Sequence, residues 1–153
     1  MHPFLVPGAW LLEGEYFPAG KARQRVSGVT QTSASEAFPE TIEVRGEIRD
    51  ADDPASKPVL STFHLDVVSR YEVRFRMDSI PLGTVLLGYG CFDDHALVLQ
   101  YASPDRRIVG FESFSCGGEG VLRATGVLLA DGARVTSWLA RLEKVAARTG
   151  RTP

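Results

Sequence analysis

The sequence predicts an all-β protein, a single antiparallel up-and-down β-barrel of about ten strands. Apolar and polar residues alternate with a period of two over much of the chain, as in strands with one face on a core. Short Gly-, Pro-, Asp- and Ser-rich turns separate these segments. Nowhere do strand and helix patterns alternate, as a parallel sheet would require. A barrel is favoured over the alternative, a β-sandwich, because closure removes exposed edges and consecutive hairpins suit up-and-down order.

Length and composition fit one globular domain. The chain has 153 residues, 44% of them hydrophobic and 24% charged, so we expect one domain over 1–153 with 148–153 as a frayed tail. Seventeen basic and nineteen acidic residues give a net charge of −2. Because the two signs are scattered, the composition argues against a nucleic-acid face and a membrane-binding surface. With no long apolar span and no basic leader, the sequence predicts a cytoplasmic protein.

The strands of the first half are predicted to have one apolar and one polar face. Between Thr41 and Arg49, for example, Ile42, Val44 and Ile48 alternate with charged residues. The other segments with this pattern are 8–17, 59–68 and 71–78, and 25–32 is a less regular strand. Polar residues and prolines make 33–40 and 50–57 loops.

The strands of the second half are apolar on both faces. This pattern covers 84–92, 96–101 and 108–114, so we expect their outer side to be covered, with a homodimer as the predicted arrangement. Two further strands, 122–129 and 134–142, flank an Asp-Gly hairpin signal. Residues 135–147 also fit a helical stripe, so a strand is preferred there and a helix stays open.

Two short motifs resemble those of the lipocalins and the wider calycin barrels. Gly8-Ala9-Trp10 is similar to the Gly-x-Trp signature on the first strand, and Phe92-Asp93-Asp94-His95 resembles the acidic hairpin of the second signature. The strand number is closer to the ten-stranded fatty-acid-binding and nitrobindin-type members. The resemblance implies that Trp10 closes the barrel floor and that a late arginine packs across it. Arg141 is the favoured match, with Arg134 and Arg148 as alternatives.

The resemblance also bears on cofactors. Nitrobindin-type barrels hold haem through an inward histidine toward the end of the chain, and this chain has no histidine after His95. We therefore predict no haem and no other cofactor. Asp93, Asp94 and His95 are adjacent turn residues that cannot converge on one ion, so no metal site is predicted either.

A barrel of ten strands is wide enough to leave an interior cavity, which is the predicted site. Its wall is expected to be mainly aromatic and apolar, which favours a fatty, aromatic or isoprenoid-like ligand. The predicted lining residues are Trp10, Tyr16, Phe63, Tyr71, Phe75 and Met77. Ordinary core packing is the alternative for each of them.

Glu112 is the candidate catalytic residue. It lies between Phe111 and Phe114, and a carboxyl in apolar surroundings has a raised pKa suited to general acid or base chemistry. The predicted partners in neighbouring strands are Tyr89, Gln100, Tyr101 and Arg123, of which Tyr89, Tyr101 and Arg123 are also predicted ligand contacts. The alternative is a structural pair with Arg123 or a solvent-facing position.

Other polar groups are predicted to be structural. His64 and Asp66 are read as a solvated outer face, and Cys91 and Cys116 as buried thiols. The sequence thus predicts a binding protein for a small hydrophobic molecule. The alternative is an isomerase, cyclase or lyase that converts such a molecule inside the barrel, and the residues alone do not decide whether the protein is an enzyme.

Overall fold

The computed structural model describes residues 1–36, 38 and 40–146. Ten antiparallel strands form one closed barrel in which each strand pairs with its sequence neighbours and the first pairs with the last. They are β1 (Gly8–Pro18), β2 (Gln24–Ala34), β3 (Thr41–Asp50), β4 (Val59–Val67), β5 (Glu72–Ser79), β6 (Thr84–Phe92), β7 (Ala96–Ala102), β8 (Ile108–Gly118), β9 (Val121–Ala130) and β10 (Ala133–Lys144). The predicted up-and-down barrel is confirmed and the sandwich alternative is wrong.

The last strand settles the choice left open between strand and helix. β10 pairs along its length with β1 and β9, and its inner residue Leu142 is fully buried. Asp131 and Gly132, in the predicted Asp-Gly hairpin before it, have φ values of 50° and 79°, as a type I′ turn requires. The predicted frayed tail, 148–153, lies outside the described residues.

One end of the barrel is closed by the N-terminal segment. A single 3₁₀ turn, Pro3–Leu5, places Phe4 inside the barrel, where its ring stacks on Phe114 with centroids 4.1 Å apart. Trp10 is completely buried, with its ring 6.5 Å from that of Phe4. The Thr32 hydroxyl donates to the Val6 carbonyl at 2.8 Å and fixes the segment to β2. Trp10 thus lies in the closed end, as the family resemblance implied.

Lys144 packs over Trp10 in place of the expected Arg141. The Lys144 ammonium lies 5.7 Å from the centre of the Trp10 ring, close enough for a cation–π contact. Arg141 faces outward in β10 because its neighbour Leu142 faces inward, and it pairs with Glu143 at 2.5 Å. Arg134 donates to the Phe17 carbonyl at the opposite end, and Arg148 lies outside the described residues.

The outer surface is divided into a charged and an uncharged part. Outward residues of β2 to β5 include ion pairs such as Arg45–Glu43 at 2.5 Å. On β6 to β10 the register aligns two rows without any charged side chain, and a third is uncharged from β6 to β9 and reaches Arg134 on β10. These rows are Cys91-Val98-Ser113-Thr125-Leu139, Tyr89-Gln100-Phe111-Val127-Ser137 and Leu87-Ala102-Val109-Leu129. We call these rows the uncharged outer face.

The two cysteines are not buried as the sequence indicated. Both are free and exposed, because inward positions of β6 alternate through Leu86 and Phe92 and leave Cys91 on the outside. Cys116 lies near the closed end, where its thiol contacts the Asp94 carbonyl at 3.4 Å. In the part of the chain that is described, no helix has the length and apolarity to cross a membrane.

Candidate functional site

The barrel interior contains a cavity of about 180 Å³. All ten strands surround the interior, and the side chains around the cavity come mainly from β1, β3 to β5 and β7 to β10. The floor is formed by Phe4 and Phe114, and the walls are aromatic and aliphatic. An engineered apolar cavity of similar size, about 150 Å³, holds benzene, so this space corresponds to roughly one ring.

The cavity opens at the end of the barrel opposite the N-terminal turn. Inward residues near the closed end, such as Val44 and Leu122, are fully buried. Inward residues toward the other end, such as Ile48, Met77 and Tyr16, are only half-buried. Because exposure rises along the same inner face, water reaches the interior from the end that carries the β3–β4 loop. This end is the mouth.

Aromatic rings form two patches of the wall. Phe75 stacks on Tyr101 with centroids 4.5 Å apart, and Phe63 contacts Phe75 at 5.3 Å. On the other side, Tyr16 on β1 lies 6.0 Å from Trp138 on β10. Side chains of both patches line the same cavity, and we call the part of the cavity that they line the aromatic slot.

Two glycines make room for this arrangement. A Cβ atom on Gly110 would lie 2.0 Å from the Tyr101 ring, and one on Gly126 would lie 2.1 Å from the Trp138 ring. Each ring therefore lies flat against the backbone of the adjacent strand instead of filling the centre of the barrel. Glycine at these inward positions is what keeps the cavity open.

Glu112 on β8 extends into the same cavity. Its neighbours at the alternating positions, Gly110 and Phe114, are buried, so Glu112 is on the inner face. The Trp138 indole N–H donates to its Oε1 at 3.2 Å. No other donor among the described residues bonds this carboxyl group, and neither Arg123 nor Tyr89 is its partner. The structural alternative, in which Glu112 pairs with Arg123 or faces solvent, is therefore wrong.

Burial controls the acidity of the polar groups in the cavity. It raises the pKa of Glu112 from 4.5 to about 7, although the Trp138 hydrogen bond works in the opposite direction. The pKa of Tyr16 rises to about 12 through burial and the nearby Glu112 charge. The pKa of Tyr101 also rises for these reasons. Near neutral pH the cavity thus contains one carboxyl that changes its charge and two phenols that remain neutral.

The structure brings together six of the nine predicted lining residues. Trp10, Tyr16, Phe63, Phe75, Met77 and Tyr101 all face inward, and all except Trp10 line the cavity together with Glu112. Trp10 packs behind Phe4 in the closed end. Ligand contact by these residues stays a prediction.

The other three predicted lining residues lie on the outside, which corrects their expected positions. Tyr71 precedes β5, is 56% exposed and carries the Arg70 guanidinium over its ring. Tyr89 is 73% exposed because the inner face of β6 is formed by Leu86, Gly88 and Gly90. Arg123 is exposed because its neighbours Leu122 and Ala124 face inward. The segment 84–92 is apolar on both faces and gives no alternation from which the direction of Tyr89 follows.

Trp138 is the site residue that the sequence interpretation missed. It lies in the segment that also fits a helical stripe, yet Trp138, Ala140 and Leu142 have the period-two spacing of an inner strand face. The pairing of Trp138 with the inward Gly126 becomes visible only in the strand register.

The other polar clusters have structural roles. His64 contacts Glu43 at 3.4 Å on the outer surface. The Asp93 carboxylate accepts from the His95 and Ala96 backbone N–H groups at 2.7 Å and so fixes the hairpin. Asp94 pairs with the N-terminal ammonium at 2.6 Å. Across the described residues, no group of three or more His, Cys, Asp or Glu side chains is placed to hold a metal ion.

The comparisons show what this fold is similar to. No known family profile matches the chain, and no curated protein sequence matches it. Among solved structures, Rv2717c from M. tuberculosis superposes with a TM-score of 0.71 at 14% identity, covering 94% of each chain. The S-type phycobiliprotein lyase CPES from Guillardia theta superposes with a TM-score of 0.69 at 12% identity, covering 94% of this chain and 90% of the lyase. At such low identity these likenesses show a shared fold and nothing more.

Proposed function

We propose that this barrel binds a small hydrophobic molecule in its interior. The observation that carries the proposal is the aromatic-lined cavity of about 180 Å³ beneath an open mouth. Small-molecule sites are typically concave and apolar with a few polar groups that orient the ligand. Here the orienting groups are Glu112, Trp138 and the two phenols. The cavity is smaller than the usual ~300–1,000 Å³, so we expect a one-ring ligand or one end of a longer molecule.

Native mass spectrometry of the freshly purified protein tests this proposal. We expect a co-purified apolar molecule, and we expect toluene or benzyl alcohol to shift NMR signals of cavity residues in stripped protein. Ala140→Phe places a ring in the cavity from β10 and should abolish both effects. Ala133→Phe, on the same strand but exposed, is the matched control and should leave them intact. A protein with no co-purified molecule and no probe binding would contradict the proposal.

A second candidate function is catalysis on such a molecule by Glu112. The specific observation in its favour is a cavity carboxyl whose pKa of about 7 suits proton transfer near neutrality. One of the similar structures is described as a lyase, which is consistent with an isomerase, cyclase or lyase but does not specify one. The co-purified molecule, incubated with the protein and followed by mass spectrometry, would be converted by wild type. Glu112→Gln should bind it and leave it unchanged, and equal conversion by both proteins would exclude this role.

We also propose that a second copy of this chain covers the uncharged outer face. The face spans up to five strands about 4.8 Å apart and three rows about 7 Å apart, roughly 500 Å² in projection and more as accessible surface. That matches the largest patches of monomers, about 300–600 Å² and often interaction sites, and as accessible surface it approaches the ~800 Å² per partner of a standard interface. Phe111 lies at its centre and Tyr89 at its β6 edge, while charges such as Arg74 and Glu15 flank it, as in homodimer interfaces.

Sedimentation velocity at micromolar concentration tests the dimer. Wild type should sediment as a dimer, Tyr89→Glu as a monomer, and Leu60→Glu on the charged side as a dimer. Cys91 lies in the uncharged outer face and Cys116 outside its rows, so dimerisation should slow thiol labelling of Cys91 but not of Cys116. A wild-type monomer at these concentrations would rule out this partner.

A further inference from the structure

Glu112 has no counter-ion in the cavity. It is the only acidic side chain among the described residues that line the cavity, and no Lys, Arg or His lines the cavity with it. Several charged residues of β2 to β5, by contrast, form ion pairs on the outer surface, as Arg45 does with Glu43. An acid inside an apolar wall without a cation is costly to ionise. We therefore expect a bound ligand to supply the counter-ion of Glu112.

The carboxyl group is only partly satisfied by the protein. The Trp138 N–H occupies Oε1 at 3.2 Å, and no donor in the described part of the chain bonds Oε2. The neighbours of Glu112 on the flanking strands are Leu99 and Gly126, which bring no polar side chain. One carboxyl oxygen thus remains open to a donor within the cavity.

The wall around this oxygen also favours positive charge. Tyr16, Trp138 and Tyr101 present aromatic rings on the strands near Glu112, and ring faces attract a cation by about 0.5–2 kcal/mol each when well placed. The two phenols carry no charge near neutrality, so they neither repel nor replace a cation. Their hydroxyl groups can orient a polar substituent.

From this geometry we infer that the interior site prefers a one-ring organic cation, a protonated amine or amidine, whose nitrogen donates to Glu112 while its ring fills the aromatic slot. This inference rests on the proposed binding function and names the ligand class. A charge-assisted hydrogen bond to a desolvated carboxylate is stronger than a neutral one, and it removes the cost of an unpaired buried charge. A neutral ligand of the same shape gains only the contacts with the rings.

Three matched probes test the preference: benzylamine, benzyl alcohol and toluene. At pH 8, by calorimetry or NMR titration of stripped protein, benzylamine should bind wild type at least tenfold more tightly than benzyl alcohol. In Glu112→Gln, which retains an acceptor for Trp138, benzylamine should lose this advantage while the two neutral probes change less than about twofold. Glu119→Gln, in the exposed β8–β9 turn, is the control and should behave as wild type.

The pH dependence gives a second measurement. Glu112 ionises with a pKa of about 7, so benzylamine binding to wild type should weaken about tenfold from pH 8 to pH 6. The other titratable groups that face it, Tyr16 and Tyr101, have raised pKa values and do not change charge in this range. Binding to Glu112→Gln should be flat with pH.

The outcomes separate this inference from the proposed function. If the neutral probes bind wild type as tightly as benzylamine, or if Glu112→Gln preserves the ratio, the cation preference is refuted while interior binding stands. If none of the three probes binds, the binding function and the preference are both refuted.

Discussion

Removing the ionisable carboxyl of Glu112 should stabilise the folded barrel increasingly as the pH rises above about 4.5, with the full effect above pH 7. The folded-state pKa of about 7 lies above the usual 4.5, and each unit of pKa difference corresponds to about 1.4 kcal/mol. Folding therefore binds a proton between pH 4.5 and pH 7, and the free energy of unfolding falls by up to about 3 kcal/mol as pH rises through this window. Since Glu112 is half-buried rather than fully enclosed, this figure is an upper value.

Glu112→Gln removes this proton linkage while preserving shape and the acceptor for Trp138. We expect the variant to match wild type near pH 4.5 and to be more stable by about 2–3 kcal/mol at pH 8. Urea denaturation at several pH values, with equal m-values as a check, measures the difference. Glu119→Gln, which removes an exposed carboxyl, should follow wild type at every pH. Stability curves of wild type and Glu112→Gln that run parallel from pH 4.5 to pH 8 would refute the reasoning.

Three further predictions concern packing. In Gly126→Ala the new Cβ would lie 2.1 Å from the Trp138 ring and would displace that ring from the cavity wall. We expect the free energy of unfolding to fall by about 1–3 kcal/mol and the Trp fluorescence spectrum to change. An unchanged spectrum would contradict this prediction. Gly117→Ala, whose new Cβ would be no closer than 3.4 Å to its neighbours, should be nearly neutral by the same measurements. Phe4→Ala removes the ring stacked on Phe114 and should lower the free energy of unfolding by about 3–5 kcal/mol, as measured by urea denaturation. An unchanged free energy of unfolding would show that the N-terminal segment does not dock in the barrel in solution.

Much of the fold could be predicted from the sequence because one of the two faces of each strand in the first half of the chain is exposed to water. In β3, the alternation of Ile42, Val44 and Ile48 with charged residues leaves only one face that can be buried, and the Asp131-Gly132 turn requires a tight hairpin. These signals are local, so the number of strands and their order follow from them. Tyr71 shows where the period-two pattern misleads. Tyr71 has the spacing of an inward residue relative to Val73, but it precedes the start of β5, and the turn directs its side chain into solvent.

The candidate site was only partly predictable. Glu112 stood out because a carboxylate between phenylalanines needs an explanation wherever it lies. Its partner Trp138 could not be identified in the same way, because their hydrogen bond joins strands β8 and β10 across Gly126 on the intervening strand β9. Such a contact depends on register, which is fixed by the pairing of whole strands and not by any short segment.

The sequence by itself determined that this chain forms about ten antiparallel strands with a charged and an uncharged side, because these properties depend on the period and composition of single strands. Closure of β1 on β10, the occupation of the floor by Phe4 and the position of Lys144 over Trp10 were decided by tertiary structure. The same holds for the aromatic slot and for the single unpaired acid within it. These features arise where side chains distant in sequence lie at the same level along the barrel axis. That level depends on the register of the strand pairs, which is fixed only when all ten strands have paired.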